Sequence, residues 1–142
     1  MKQMRAVAAT GAVFSLLLLG ACSSVSQTSL SSAETGTCWT DLNDDDAVGT
    51  EVDCAQSHEL EILAAKDFHV QGVYDYDYLS QQTENFCSEQ LPAYAPEGFD
   101  DFDSIQMFVS VPTEEDWESY ETVTGLCGVR TTEPTTGNFS DQ

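Results

Sequence analysis

Basic residues are scarce in this sequence: it contains 4 Lys and Arg residues against 25 Asp and Glu, and its formal net charge at pH 7 is −21. Lys2 and Arg5 lie close to the N-terminus, which leaves only Lys66 and Arg130 for the rest of the chain. Because binding to phosphates needs a basic patch, nucleic acid is excluded as a partner. A basic protein or a divalent cation is compatible with this charge, and so is a charge that serves only solubility.

Cysteine patterns with a known chemistry are also missing. The chain has no Cys-x-x-Cys pair, no cysteine spacing typical of a zinc site, and no Lys or Arg directly beside a cysteine to favour a reactive thiolate. We therefore expect no catalytic cysteine, no metal site and no cofactor.

No apolar run is long enough to cross a membrane comfortably, since about 20 residues are needed. The longest, residues 6–19, follows the two N-terminal basic residues and leads into Leu19-Gly20-Ala21-Cys22, which is the order of regions in a secretory signal peptide. These four residues resemble the lipobox of bacterial lipoproteins. That resemblance implies a lipoprotein signal peptide over residues 1–21 and acylation of Cys22, for example with palmitate, which would anchor the protein on the outer face of the bacterial cell membrane. The alternative is an ordinary secretory signal with a cysteine near its cleavage point.

Composition divides the rest of the chain into three parts. Residues 22–36 comprise the lipidated cysteine and a stretch dominated by Ser, Thr, Gln, Ala and Gly, which predicts a flexible tether. Residues 131–142 are rich in Thr, Pro, Gly and Ser, which predicts a disordered tail. Residues 37–130 would then form a single small domain, which is marginally stable without extra constraints.

The remaining cysteines supply such a constraint. Once Cys22 is assigned to the anchor, four are left, and an even number in a small exported domain predicts disulfides. They are Cys38, Cys54, Cys87 and Cys127. Spacing alone leaves three connectivities open. The order of the predicted elements favours Cys38–Cys54 around a turn-rich loop, and Cys87–Cys127 between a helix and the last strand.

Hydrophobic patterning predicts a small α+β domain in which an antiparallel sheet carries one main helix and one short helix. Apolar residues recur at helical spacing between Tyr76 and Tyr94, and Thr113 with Asp116 forms the capping box of a short helix. Alternation predicts strands at residues 38–39, 50–54, 58–68, 105–111 and 125–130. The tight connection at Gln56-Ser57 suggests that the second and third of these strands form a hairpin.

Several short motifs follow one another along this domain: Gly36-Thr37-Cys38, Val52-Asp53-Cys54, His58 with Glu61, Cys87, Pro112-Thr113, Trp117 and Cys127. Their order resembles the septum-formation domain of actinobacterial envelope proteins. The chain departs from that family's pattern at Ser57, where the family has proline, and at residues 118–121, where it tends to have Gly-Asp-Arg. The resemblance implies a disulfide-bonded extracytoplasmic module that acts in cell division or envelope growth, and it implies no defined chemistry.

His58 and Glu61 are the polar residues that the sequence singles out. On a regular strand the two side chains would lie on opposite faces, so an acid–base or metal role for His58 would need a carboxylate from elsewhere, such as Asp53 or Asp67. The first interpretation is a structural histidine that bonds a backbone group at the start of a strand. The second is the acid–base residue of an envelope hydrolase that works with nearby carboxylates.

Two acidic stretches suggest further functions. Asp41, Asn43 and Asp45 match three positions of a calcium-binding EF-hand loop, but Asp46 replaces its glycine and Val52 its glutamate. The second stretch, around Phe99 and Phe102, has the carboxylates of a glycosidase or of a protein-docking loop. Its acids are Glu97, Asp100, Asp101 and Asp103. A solvated loop is the simplest expectation for both.

These observations predict a lipid-anchored, non-enzymatic interaction module that binds a basic envelope or division protein. An envelope hydrolase that uses His58 and an acidic binder of divalent cations are the alternatives.

Overall fold

The computed structural model describes residues 26–45, 47–93 and 105–139. Within these residues the strands pair antiparallel in one six-stranded sheet of order β1-β3-β2-β4-β6-β5, with one long and one short α-helix. The strands are β1 Thr28–Ser29, β2 Cys38–Asn43, β3 Val48–Val52, β4 His58–His69, β5 Ile105–Ser110 and β6 Thr122–Thr135, and the helices are α1 Tyr76–Gln90 and α2 Glu114–Ser119. The predicted α+β class is confirmed.

Local sequence signals explain both helices. The Asp75 side chain accepts the Tyr78 backbone N–H at the start of α1. The buried residues of α1 recur every four positions, at Leu79, Thr83 and Cys87, so one stripe of the helix packs on the sheet. In α2 the predicted capping box is confirmed, because Thr113 and Asp116 each accept the other's backbone N–H.

The predicted hairpin between the second and third strands is wrong. β3 and β4 both pair with β2, which therefore lies between them: Cys38 is opposite Val52 on one side and opposite Glu61 on the other. The reason is burial. Trp39 is 1% exposed, and a central strand covers such a side chain better than an edge strand does.

The prediction of a flexible tether over residues 22–36 is wrong for its second half. Thr28 and Ser29 pair with β3, and Leu30, which is 2% exposed, packs on the sheet together with Trp39 and Leu60. The polar composition of this segment gave no sign of the contact. One large apolar side chain is enough to fix a short segment when it covers a buried tryptophan. Residues 22–25 lie outside the described residues.

The prediction of a disordered tail over residues 131–142 is also wrong for most of that range. β6 continues to Thr135, the backbone N–H of Gly137 donates to the Cys54 carbonyl at 2.6 Å, and Phe139 packs partly buried against Leu63. Pairing with β4 and β5 outweighs a composition typical of a tail, since threonine is a favourable strand residue.

The two predicted disulfides are confirmed. Cys38–Cys54 ties the start of β2 to the turn after β3, and Cys87–Cys127 ties α1 to β6. They close loops with sequence separations of 16 and 40 residues. Cys87–Cys127 therefore crosslinks α1 to the sheet. Cys38–Cys54 crosslinks two neighbouring parts of the sheet, β2 and the turn after β3.

Candidate functional site

The two ends of the sheet differ in what they contain. At one end β4 begins at His58, close to Cys38 of the Cys38–Cys54 disulfide. At the other end β4 finishes at His69, opposite Thr122. Eleven steps of about 3.3 Å along β4 put roughly 36 Å between these ends. We call them the N-terminal end and the far end.

The far end, defined here as residues 70–78 and 112–121, is acidic and contains no Lys or Arg. Its acids are Asp75, Asp77, Glu114, Glu115, Asp116, Glu118 and Glu121. It also carries most of the large apolar side chains that are exposed among the described residues. These are Val73 at 90%, Tyr120 at 62%, Tyr76 at 57% and Tyr78 at 55% exposure. Exposed aromatic rings beside charges of one sign are typical of a surface that binds a partner.

This end is built as a connected unit. The Trp117 indole N–H donates to the Gly72 carbonyl at 3.3 Å, and its ring meets the Tyr74 ring edge-on with centroids 6.2 Å apart. The Tyr74 hydroxyl donates to the Pro112 carbonyl at 2.9 Å. These contacts fix the loop after β4 against α2, so the exposed tyrosines are presented on an ordered support.

The carboxylates of the far end affect the buried hydroxyl of Tyr74. Burial raises the pKa of the Tyr74 hydroxyl above its ordinary value, and the neighbouring Tyr76, Glu114 and Asp116 raise that pKa further. Burial is the larger cause of this shift, and the contributions of Glu114 and Asp116 reflect the excess of carboxylates at this end.

A second candidate site lies at the N-terminal end, on the sheet face that carries Cys38 and Glu61. These two residues are directly opposite each other in β2 and β4, so their side chains leave the sheet on the same side. His58 joins them: ligand atoms of Cys38, His58 and Glu61 all lie within 4.8 Å of one another. All three are buried, at 0%, 2% and 5% exposure.

The expectation that His58 and Glu61 face opposite sides of the strand is therefore wrong. The pairing of β4 with β6 is irregular between His58 and Leu60, and such an irregularity breaks the strict alternation of side chains. His58 Nδ1 donates to the Gln56 carbonyl at 2.9 Å, and the Phe139 backbone N–H donates to Glu61 Oε2. The bond to Gln56 is the backbone contact that the structural interpretation of His58 requires.

The carboxylates considered for a hydrolase do not meet His58. Asp53 accepts the Ala55 backbone N–H within its own turn. Asp67 lies in the distant half of β4, where it is exposed and accepts a hydrogen bond from the Thr124 hydroxyl. With only 2% of His58 exposed, a substrate has no access to its ring in this structure. The geometry does not favour the hydrolase.

The predicted half of an EF-hand is a turn between two strands. Asn43 Oδ1 accepts the Asp45 backbone N–H, and Asp44 pairs with Arg130 at 2.8 Å. The described residues of this turn do not converge into a group of metal ligands. Asp46 and the acidic stretch at Glu97, Asp100, Asp101 and Asp103 lie outside the described residues.

Sequence reasoning missed the far end as a surface. It sought a docking loop in the acidic stretch after α1, whereas the surface is assembled from two segments about 40 residues apart. One signal was available: at residues 74–78 tyrosine and aspartate alternate. The described residues contain no helix that is both long and apolar enough to cross a membrane.

Fold and surface together define a class: a small α+β domain with two disulfides, a buried histidine–carboxylate pair and an acidic, tyrosine-rich end. The chain belongs to the septum-formation family, whose family model matches residues 35–142. This match confirms the resemblance found in the sequence. The matched range includes residues 131–139, which the structure places in β6 and in the segment after it. No match was found among curated proteins or solved structures. Family membership supports a role in septum formation in general and names a process rather than a reaction.

Proposed function

We propose that this protein is a lipid-anchored interaction module on the outer face of the bacterial cell membrane, where its far end binds a basic segment of an envelope or division protein. It acts in septum formation by holding that partner at the membrane and catalyses no reaction. The observation that carries the proposal is the far end itself, with seven acidic residues, no basic ones and four exposed apolar or aromatic side chains.

The position of the N-terminus supports this arrangement. The Gln27 side chain donates to the Asp41 carbonyl in β2, so the ordered domain includes residue 27. Five chain steps separate it from Cys22, and they reach at most about 17 Å. An anchor on Cys22 would therefore hold the folded domain close to the bilayer surface. Anionic lipid head groups would repel the acidic far end, which would leave its tyrosines available to a basic partner.

Charge and aromatic rings contribute differently to such binding. Seven carboxylates accelerate the encounter with a basic segment and reject acidic ones. The exposed Tyr76, Tyr78 and Tyr120 supply contact area and ring faces for Lys or Arg side chains. The affinity should therefore fall as ionic strength rises, because these charges lie in solvent.

Substitution of the predicted lipidated cysteine tests the anchor. Cys22→Ser should move the protein from the membrane fraction to the soluble fraction after cell lysis, because no thioether to lipid can form. Ser23→Ala, which changes the next residue and keeps the sulfur, should leave it in the membrane fraction. Membrane retention of Cys22→Ser, measured by immunoblot of both fractions, contradicts the lipid anchor.

Site-specific photo-crosslinking in intact cells tests the far end. A photoreactive amino acid at Tyr120 should crosslink to a Lys- or Arg-rich segment of an envelope protein, whereas the same amino acid at the exposed Ala65 should not. Neutralising Glu114, Glu115 and Glu118 to Gln should lower the yield at position 120 by about tenfold, since each exposed charge contributes modestly.

The matched control removes three charges elsewhere, with Asp41→Asn, Asp45→Asn and Glu51→Gln, and should leave the yield unchanged. Equal losses in both triple variants would mean that net charge alone matters and that the far end is not the binding surface. A crosslinked segment without basic residues would exclude the proposed partner chemistry.

A further inference from the structure

The two disulfides have different surroundings. Cys87 and Cys127 are both fully buried and pack with Ala64, Phe86 and Val109. Cys38–Cys54 has one buried sulfur and one partly exposed cysteine, and it lies beside two buried ionisable side chains, those of His58 and Glu61. Burying such groups is costly unless they serve packing, bonding or ligation.

The side chains around Cys38–Cys54 are of the types that bind structural zinc. Zinc takes four ligands from Cys, His and carboxylate side chains at about 2.0–2.3 Å, so neighbouring ligand atoms lie roughly 3.3–3.8 Å apart. The atoms of Cys38, His58 and Glu61 already lie within 4.8 Å of one another, and Cys54 Sγ is 1.98 Å from Cys38 Sγ. After reduction, a four-ligand set forms if Cys54 Sγ moves into this group of three and the donors close by about an ångström.

The outer contacts of these ligands also fit a metal. His58 Nδ1 donates to the Gln56 carbonyl, which leaves Nε2 with a lone pair for the ion. Glu61 Oε2 accepts the Phe139 backbone N–H, which orients the carboxylate. Metal-binding histidines and carboxylates are commonly held by such second bonds.

We propose that, when the Cys38–Cys54 disulfide is reduced, Cys38, Cys54, His58 and Glu61 bind one Zn²⁺. This metal site is independent of the partner-binding function of the far end. A thiol reductant supplies two electrons and two protons, the S–S bond breaks to give two thiols, and the reductant is oxidised to its own disulfide. Zinc then binds both sulfurs as thiolates with release of two protons, together with neutral His58 and the Glu61 carboxylate.

Zinc would replace the Cys38–Cys54 disulfide as the crosslink at this end of the domain. The same end holds the C-terminal segment, through Gly137 on the Cys54 carbonyl and Phe139 on Glu61. Disulfide and zinc are therefore two alternative states of one cluster that joins β2, the turn after β3, β4 and the C-terminal segment.

Cobalt titration of the reduced protein tests the site. The full chain carrying Cys22→Ser, Cys87→Ala and Cys127→Ala has only the two thiols in question after reduction. Anaerobic addition of Co²⁺ should give thiolate-to-cobalt charge-transfer bands and tetrahedral d–d bands that saturate at one Co²⁺ per chain and disappear with one equivalent of Zn²⁺. The chain that retains Cys87–Cys127 should show the same bands after reduction, so a folding defect of the double alanine variant does not decide the result.

The two histidines of the chain provide a matched pair of controls. His58→Ala should weaken zinc binding by about tenfold or more, and Glu61→Gln should weaken it as well, whereas His69→Ala, at the exposed last residue of β4, should leave it unchanged. Zinc should raise the melting temperature of the reduced protein and not of the oxidised one. The proposal is overturned if the reduced protein gives no thiolate–cobalt bands, if His58→Ala binds as tightly as the parent, or if zinc stabilises the oxidised form equally.

Discussion

Gly128→Ala is expected to lower the free energy of unfolding by about 3 kcal/mol, at the upper end of the usual cost of overpacking a core. Gly128 lies in β6 opposite Ile62, next to the irregularity in the pairing with β4. A Cβ atom there would stand 2.5 Å from the Glu61 carbonyl oxygen and 3.0 Å from Leu60 Cδ1. The oxygen belongs to the backbone of the central strand, so the clash can be relieved only by moving β4 and β6 apart.

Gly49→Ala is the matched control, since it adds the same methyl group to another buried strand glycine. Its nearest contact is Leu42 Cδ2 at 2.9 Å, the end of a half-buried side chain that can rotate away, while the nearest backbone atom is 3.4 Å distant. We expect a change of about 1 kcal/mol or less, because the loss of chain entropy in the unfolded state favours alanine. Urea unfolding of both variants measures the difference, and equal stabilities would show that the β4–β6 contact at Gly128 is not tight.

Removing the disulfide Cys87–Cys127 should lower the free energy of unfolding by about 4 kcal/mol, and removing Cys38–Cys54 by about 3 kcal/mol. The relation between loop length and chain entropy gives this order, because the two bridges close separations of 40 and 16 residues. The longer loop also holds α1 on β6. Its loss should therefore loosen the packing of Leu79 and Thr83 on the sheet.

Two paired alanine variants, Cys87→Ala/Cys127→Ala and Cys38→Ala/Cys54→Ala, compare the bridges under identical conditions without free thiols that could rearrange. Urea unfolding followed by far-UV circular dichroism gives both free energies, and tryptophan fluorescence checks that the transition has two states. A smaller loss for the longer loop would contradict the chain-entropy account and would mean that local contacts at Cys38–Cys54 dominate.

The helices and the disulfides were predictable because their signals are local or follow from element order. The Thr113–Asp116 capping box acts within one helical turn, so it identifies the start of α2 directly, and the helical spacing of apolar residues from Tyr76 onward identifies α1. The pairing of Cys87 with Cys127 was favoured, among three possible connectivities, once a helix and a last strand had been assigned. The chain-wide order of cysteines and histidine was also enough to recognise the family.

The arrangement of strands was not predictable to the same degree. The sequence placed β3 beside β4 because a short connection joins them, yet both flank β2, whose Cys38 and Trp39 need cover on two sides. Leu30 lies in a stretch that composition assigns to a tether, and its burial depends on a tryptophan nine residues away. The strand order and the burial of Leu30 depend on contacts between elements. Composition and periodicity carry no information about such contacts.

By itself, then, the amino-acid sequence determined the α+β class and the excess of negative charge. It also favoured the observed cysteine pairing and predicts an export-type N-terminus. Tertiary structure alone decided that His58 and Glu61 share one buried cluster, since an irregularity in β4 turns them to the same side. It also decided where the charge is concentrated, because the acidic far end combines segments about 40 residues apart. Local patterns follow from backbone geometry over a few residues, whereas the position of a site depends on which distant segments the burial of apolar surface brings together.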